Sequence, residues 1–199
     1  MKYLGQYSSL KQKETVIRTD EGDFPVWAKD AEKYFPSLEA GEEIEESELL
    51  INLAARREIK KKAIRKISIG DVTKKTLISK LSREKVYGIY VEREWIEELV
   101  GKLARAGYID DDGFARRYLE KCTAKLWGEV KVRGSMHDKG FERETVDKAL
   151  LEAQVDFTAL AKEYIEKNLS GESRDVIWRK LSSRGFSSEV IAQAIEKND

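Results

Sequence analysis

The chain has 199 residues with 37 basic and 37 acidic side chains, so its formal net charge is zero. Hydrophobic residues make up 41% and charged residues 37%, with only two prolines, which is typical of a soluble, helix-rich protein of one or two domains. No apolar run reaches the roughly 20 residues that a membrane-spanning helix needs, and the first residues lack the apolar core of a signal peptide. With Cys122 as the single cysteine, these features predict a cytoplasmic protein without a disulfide or a membrane partner.

The neutral total conceals an uneven distribution of charge. Residues 1–46 carry 6 basic and 11 acidic side chains, a net charge of −5. Residues 47–109 carry 15 basic and 8 acidic side chains, a net charge of +7, and residues 110–199 have a net charge of −2. A basic middle segment can attract phosphates or an acidic protein surface. A chain that binds nucleic acid over its whole length is usually basic overall, which this chain is not.

The first 46 residues predict a small strand-rich head. Residues 3–19 alternate weakly around a polar middle, as a β-hairpin does, and residues 20–23 are a turn signal. Residues 24–27 follow as a third short strand. Residues 28–35 then predict a short helix that ends before Pro36, because a proline disfavours helical geometry in the residue before it.

Two similar segments, 136–152 and 181–197, lie 45 positions apart and predict a repeat. Each contains a glycine followed by a phenylalanine; the pairs are Gly140-Phe141 and Gly185-Phe186. Glycine tolerates a positive φ and commonly closes the last turn of a helix, and the residue after it packs back on that helix. Each pair therefore predicts a helix end followed by the start of another helix.

Extending this pattern divides the chain into four segments. We predict a head over 1–46 and three-helix repeats over 47–109, 110–154 and 155–199. The predicted fold class is mainly α, with three tandem, helix-turn-helix-like repeats in a curved array and a small strand-rich N-terminal head. In the first repeat Lys85 and Val86 replace the glycine and phenylalanine, so we expect this turn to close differently.

Residues 106–120, AGYIDDDGFARRYLE, resemble the signature of the RecX family of bacterial recombination regulators. The matching residues are Gly107, Tyr108, Ile109, Asp110, Asp111, Phe114 and Ala115. Residues 127–141 and 178–191 resemble the following parts of the same family, and the resemblance spans essentially the whole chain. Gly134 and Met136 depart from the pattern, since stronger helix formers and leucine are usual there.

This resemblance implies a partner and a mechanism. Proteins of the family bind RecA and the RecA filament on single-stranded DNA, lodge in the filament groove, and inhibit filament extension, ATP hydrolysis and strand exchange. They thereby modulate DNA repair, recombination and the SOS response. The resemblance thus implies a regulator that is not an enzyme and acts as a monomer. Two alternatives are a DNA-binding helical-repeat protein that acts independently of RecA and a helical scaffold for another protein.

Basic side chains on predicted helices are the candidates for contacts with RecA or directly with the DNA backbone. Residues 56–66 carry seven basic residues and one acid, which favours a helix that faces phosphate or an acidic partner over a merely solvated face. For each of the others, ordinary surface charge is an alternative of at least equal weight. The candidates are Arg57, Lys60, Lys61, Arg65, Arg116, Arg117, Lys131, Arg133, Arg179 and Arg184.

The three acids at 110–112 open a predicted helix, and we interpret them as helix-capping residues rather than metal ligands. The spacing around Gly113 does not match a calcium-binding loop. With one histidine, His137, and one thiol, the chain cannot assemble a nucleophile–base pair or a four-ligand zinc site. We therefore expect no metal, no cofactor and no enzymatic activity.

Aromatic residues near these motifs are predicted to pack in the core. Tyr108 and Phe114 flank the acidic helix start and are assigned to the core. Trp95, Trp127 and Trp178 could stack on bases, but aromatic residues at helical spacing more often pack, and we favour packing.

Overall fold

The computed structural model describes residues 1–9 and 13–196. Its chain divides into two compact units, and the division falls inside one helix. Unit 1 contains residues 1–70 and 77–106, and unit 2 contains residues 71–76 and those from 107 onward.

Unit 1 begins with a three-stranded antiparallel sheet in the order β1-β2-β3. The strands are β1 (Tyr3–Ser9), β2 (Glu14–Thr19) and β3 (Gly22–Trp27), and the short helix α1 (Ala28–Tyr34) follows directly. The β2–β3 turn is closed by the Thr19 hydroxyl, which donates to the carbonyl of Gly22 at 2.9 Å. The strand-rich head and its short helix are as the sequence predicts.

Helix α2 (Ser47–Ile69) supplies the other half of the head's core. Its buried face includes Leu50 and Ala54, which pack with Ile17, Phe24 and Val26 of the sheet. Burying this apolar face is the main favourable contribution to docking the sheet on the helix, because apolar area is removed from water. One side of the basic run on α2 therefore faces protein rather than solvent.

The rest of unit 1 contains the C-terminal part of α3 (Lys74–Leu81), the hairpin β4 (Lys85–Val86) and β5 (Ile89–Tyr90), and α4 (Arg93–Arg105). Lys85 lies in an extended strand, and the positive φ angles fall instead on Tyr87 (49°) and Gly88 (80°). Two consecutive positive φ angles are what a tight two-residue hairpin turn requires. The prediction that this turn closes differently is confirmed.

Unit 2 contains two groups of three helices. The first group is α5 (Asp111–Thr123), α6 (Glu129–Asp138) and α7 (Arg143–Ala153), and its core includes Leu119, Val132, Met136 and Phe141. The second group is α8 (Phe157–Asn168), α9 (Arg174–Ser183) and α10 (Ser188–Glu196), and its core includes Ile165, Leu181, Phe186 and Ile191.

The middle helix of each group, α6 and α9, ends in the predicted glycine–phenylalanine cap. Gly140 has φ of 87° and Gly185 has φ of 84°. The Gly140 amide donates to the His137 carbonyl at 2.8 Å, and the Phe141 amide donates to the Met136 carbonyl at 3.2 Å. The Gly185 and Phe186 amides make the equivalent bonds to the carbonyls of Ser182 and Leu181. Both ends are Schellman motifs, so the prediction is confirmed.

Each cap also contacts the start of the preceding middle helix. The hydroxyls of Thr73 and Thr76, at the start of α3, donate to the Lys139 carbonyl at 3.2 and 2.9 Å. At the start of α6, the Gly128 amide donates to the Arg184 carbonyl at 2.9 Å, and the Val130 amide donates to the Gly185 carbonyl at 3.1 Å. At the start of α6, free N–H groups are therefore satisfied by carbonyls at the end of α9, whereas at the start of α3 threonine hydroxyls make the contact.

The fold class is thus mainly α with a small strand-rich N-terminal head. The four-segment division at 46, 109 and 154 and the curvature of the array stay predictions. Over the residues that the structure describes, no helix is both long enough and apolar enough to cross a bilayer.

Candidate functional site

The outer side of α2 presents the first group of candidate cations. Lys61 and Arg65 are exposed and lie one helical turn apart. Among residues 1–9 and 13–196, the ion-pair contact of Lys61 is a long one, 3.9 Å to Glu58. Their neighbours Lys62 and Lys66 are engaged, since both ammonium groups reach the carboxylate of Glu84 at 2.8 and 3.3 Å.

Arg57 is a correction to the predicted site. Only 2% of the residue is exposed, because the sheet covers this side of α2. Its guanidinium forms an ion pair with Glu14 and lies 5.5 Å from the ring centre of Trp27. Arg57 therefore belongs to the interior of the head and cannot contact a partner directly.

Lys60 is half-buried on the same side of α2. Its ammonium lies 4.9 Å from the ring centre of Trp27, within the range of a cation–π contact. Arg56 makes a similar contact with Trp95 at 5.5 Å and also pairs with Glu92 at 3.1 Å. The half-buried Trp95 thus has a packing role, as predicted.

The acidic start of α5 caps its helix. The Asp110 carboxylate accepts a hydrogen bond from the Gly113 amide at 2.9 Å, and Asp111 accepts from the Lys74 amide. Burial is the main cause that raises the pKa of Asp111, although the Lys74 amide and ammonium oppose it. In the described part of the chain, no three His, Cys, Asp or Glu side chains are grouped as metal ligands would be.

Arg116 and Arg117 on α5 are exposed but have acidic neighbours. Arg116 lies 3.5 Å from Glu152, and Arg117 pairs with Asp71 at 2.7 Å. Exposed pairs of this kind contribute between about 0 and 1 kcal/mol, so either arginine could exchange its carboxylate for another anion.

The signature residues around this helix have separate roles. Gly107 has φ of 80° and follows the end of α4. Phe114 packs in the core as predicted, with its ring centre 4.8 Å from that of Phe141. Tyr108 does not: 66% of it is exposed, so its assignment to the core is wrong. The next residue, Ile109, is buried instead.

At the start of α6, Trp127 lies between two ammonium groups. Lys125 is 5.0 Å and Lys131 is 4.8 Å from its ring centre. Arg133 differs, because its guanidinium bridges Glu129 and Asp147. The hydrogen bond that Arg133 donates to Asp147 is the main cause that raises the pKa of Arg133, followed by the one that it donates to Glu129. Lys131 is thus a better candidate for a partner contact than Arg133.

On α9, Arg179 is exposed, and 37% of Trp178 is exposed, more than the packing interpretation predicts. Arg184 instead makes contacts inside unit 2. Its guanidinium donates to the carbonyls of Lys125 at 2.6 Å and Leu126 at 3.2 Å, and it lies 4.2 Å from the Tyr164 ring centre.

Three residues in these arrangements make contacts that the sequence analysis does not predict. The ring of Trp27 contacts Arg57 and Lys60. Gly128 contacts the cap at the end of α9, and Thr73 contacts the cap at the end of α6. The 45-residue offset relates Gly128 to Ser173, so a comparison of the repeats shows that the second one has lost a side chain at this helix start. No pattern in the sequence indicates the part that Trp27 has.

The chain is similar in sequence to proteins named Regulatory protein RecX. No family model matches the chain. A protein of Pectobacterium atrosepticum named Regulatory protein RecX is 33% identical over 111 residues, which are 53% of this chain and 68% of that protein. A protein of Escherichia coli strain SE11 with the same name is 25% identical over 131 residues, covering 63% of this chain and 78% of that protein.

Two solved structures share the fold. A crystal structure of a regulatory protein RecX aligns with a TM-score of 0.67 over 98% of both chains, at 20% sequence identity. A RecX structure from Lactobacillus salivarius aligns with a TM-score of 0.58 over 72% of this chain and 96% of that chain, also at 20% identity. At this identity the two structures show the fold alone.

Proposed function

Because the chain belongs to the RecX family of regulatory proteins, we propose that it is a non-enzymatic regulator of the RecA recombinase. In this proposal it binds RecA and the RecA filament on single-stranded DNA within the filament groove. It inhibits filament extension, ATP hydrolysis and strand exchange, and so modulates recombination and DNA repair in the cytoplasm.

One observation of the geometry supports this proposal above the others. Lys61 and Arg65 are exposed on α2, and neither is held in a short ion pair with any residue that the structure describes. Cations in this state can meet a phosphate or an acidic protein surface without first giving up a strong internal partner. Arg179 on α9 is exposed in the same way.

ATP hydrolysis by RecA on single-stranded DNA is the first test, with this protein titrated at substoichiometric ratios. We expect inhibition well below one protein per RecA, because a protein bound in the groove or at a filament end affects many subunits. No inhibition together with intact DNA binding would favour the DNA-binding alternative. No inhibition and no DNA binding would leave the scaffold alternative.

Charge reversal on α2 tests whether the exposed side of this helix contacts the RecA filament. We predict that Lys61→Glu with Arg65→Glu weakens binding to the RecA filament by at least about fivefold at low salt, since two cationic contacts are lost. Lys2→Glu with Lys80→Glu is the matched control, because it changes the net charge equally at two exposed lysines elsewhere. Equal affinity of the two double variants would remove α2 from the interface.

The second candidate is DNA binding independent of RecA. It is favoured by Trp127, whose ring lies between the ammonium groups of Lys125 and Lys131. Aromatic rings among cations are typical of surfaces that bind single strands. Binding to a single strand without RecA, with an affinity that falls steeply with salt, would support this candidate.

A further inference from the structure

The head contains a cavity that the proposed function does not use. Its volume is about 810 Å³, within the range of small-ligand sites, roughly 300–1,000 Å³. The end of β1, the start of β2, the β3–α1 junction and α2 all contribute to its wall. The cavity lies entirely within unit 1, so one compact unit forms it.

Three lysines give the wall a positive character: Lys13, Lys29 and Lys60. Among the described residues, neither Lys13 nor Lys29 has an ion-pair partner, and both are exposed at the cavity mouth. This is unusual in a segment that is acidic overall, with a net charge of −5 over residues 1–46. Clustered cations in a concave site raise the local concentration of anions.

Acidic residues of the wall do not cancel this charge. Glu14 lines the cavity, but its carboxylate forms an ion pair with the buried Arg57. Glu32 is exposed. With Glu14 neutralised by Arg57, the described part of the wall keeps three lysines against the one remaining carboxylate, Glu32, a net charge of +2.

The wall also contains an aromatic ring. Trp27 is half-buried and lines the cavity, and Lys60 lies 4.9 Å from its ring centre. Phe35 and Pro36 extend the apolar part, and the hydroxyls of Ser8 and Thr15, which contact each other at 2.9 Å, supply polar atoms. A ligand that fits all of these groups has a planar ring and a phosphate.

We propose that the head cavity is a binding site for nucleoside phosphates. The base stacks against Trp27, and the phosphate is neutralised by Lys13, Lys29 and Lys60. This chemistry has two sources, a free nucleotide or a nucleotide within a single strand of DNA. The inference extends the proposed function to a second site, and it does not require RecA to be the partner.

Direct binding of a fluorescent oligothymidine to the full chain without RecA, followed by anisotropy, tests the cations. We expect Lys13→Glu with Lys29→Glu to weaken binding by about tenfold, because two phosphate contacts are lost. The matched control, Lys2→Glu with Lys80→Glu, carries the same charge change and should weaken binding less than about twofold. Equal losses in the two double variants would overturn the proposal.

Substitution of Trp27 tests the proposed stacking contact. Trp27→Leu should weaken oligothymidine binding by about tenfold, as the loss of one base–aromatic stack does. Trp27→Phe keeps a ring and should retain most of the affinity. Thermal melting identifies a variant that fails to fold, and in that case the phenylalanine variant and the lysine pair decide the matter. Unchanged binding in the leucine variant would overturn the stacking role.

Displacement of bound oligothymidine at constant ionic strength distinguishes a free nucleotide from a nucleotide within a strand as the natural ligand. Displacement by thymidine monophosphate supports a site open to free nucleotides, and oligothymidine binding that resists it supports a site for strands. Displacement by inorganic phosphate at the same concentration would reduce the cavity to an anion site and overturn the proposal. So would preferential displacement by polyglutamate, which would indicate an acidic peptide.

The two proposals fail separately. If the cavity variants bind oligothymidine normally while the protein still inhibits RecA, only the nucleoside phosphate site is wrong. If oligothymidine binding depends on the cavity but RecA is unaffected, only the regulatory proposal is wrong.

Discussion

Gly128 occupies a position where no side chain fits. A Cβ there would lie 2.2 Å from the main-chain carbon of Gly185 and 2.2 Å from the amide nitrogen of Phe186. Real Cβ contacts of this kind do not occur, so the two segments would have to separate. The close approach also carries the hydrogen bond from the Gly128 amide to the Arg184 carbonyl.

We predict that Gly128→Ala lowers the free energy of unfolding by about 2–3 kcal/mol, since forcing one carbon into packed backbone costs about that much. Gly134→Ala, inside α6, is the matched control. It has no atom within 4 Å of the added carbon and no positive φ, so it should raise stability by about 0.5–1 kcal/mol. Urea denaturation measures both, and the same sign for both variants would contradict the argument.

Single residues were predictable where their role is local. Gly140 and Gly185 could be assigned from the sequence because a helix cap involves only neighbours along the chain. Arg57 could not, because helical spacing places it beside Lys61 and does not reveal that a sheet covers that side of the helix. The assignment of Tyr108 to the core was wrong for a similar reason. An aromatic residue beside a helix cap does not by itself indicate whether another element packs against it.

At the scale of elements, Glu84 links α2 to the segment after α3. Its carboxylate receives Lys62 and Lys66, and the hydrogen bond from Lys62 is the main cause that lowers the pKa of Glu84 below its ordinary value. Burial opposes this effect, and Lys66 adds to it. The ionised carboxylate is therefore favoured in the folded protein.

Because this pKa is lowered on folding, the stabilisation is complete above the ordinary pKa of a glutamate and is lost as the pH falls through the lowered value. We predict that Glu84→Gln lowers the free energy of unfolding by at most about 1 kcal/mol at neutral pH, since the group is partly exposed. The difference from wild type should vanish in acid. In a Lys62→Gln, Lys66→Gln background the substitution should have no effect at any pH, and a persistent difference would contradict this account.

Helices were the most predictable elements. The two glycine–phenylalanine pairs predicted the end of α6 before α7 and the end of α9 before α10, where the structure has them, because a cap involves only neighbours along the chain. The hairpin over β4 and β5 was predicted only as a turn that closes differently, because Lys85 and Val86 stand in place of the glycine and phenylalanine. Its two strands are two residues each, too short for alternation to be visible.

For the whole molecule, the absence of a cap after α3 limits self-association. End-to-end contact between copies through the joint seen at Gly128 would need a glycine–phenylalanine cap on the first middle helix, but Lys85 and Val86 form a strand there. We predict a monomer of 22.9 kDa in sedimentation equilibrium at all accessible concentrations. A mass that rises with concentration would contradict this prediction and point to another contact.

The joint between α9 and α6 is made largely of main-chain atoms: two amides, two carbonyls and two glycines in close approach. Such a contact does not depend on matched side chains. If the part of the gene that codes for Gly128 to Phe141 were duplicated internally, the copy would bring both halves of such a joint, the glycine at a helix start and the glycine–phenylalanine cap at its end. The outer faces of such a copy could diverge freely, because two glycines and main-chain atoms, rather than side chains, would hold its cap against the next helix start.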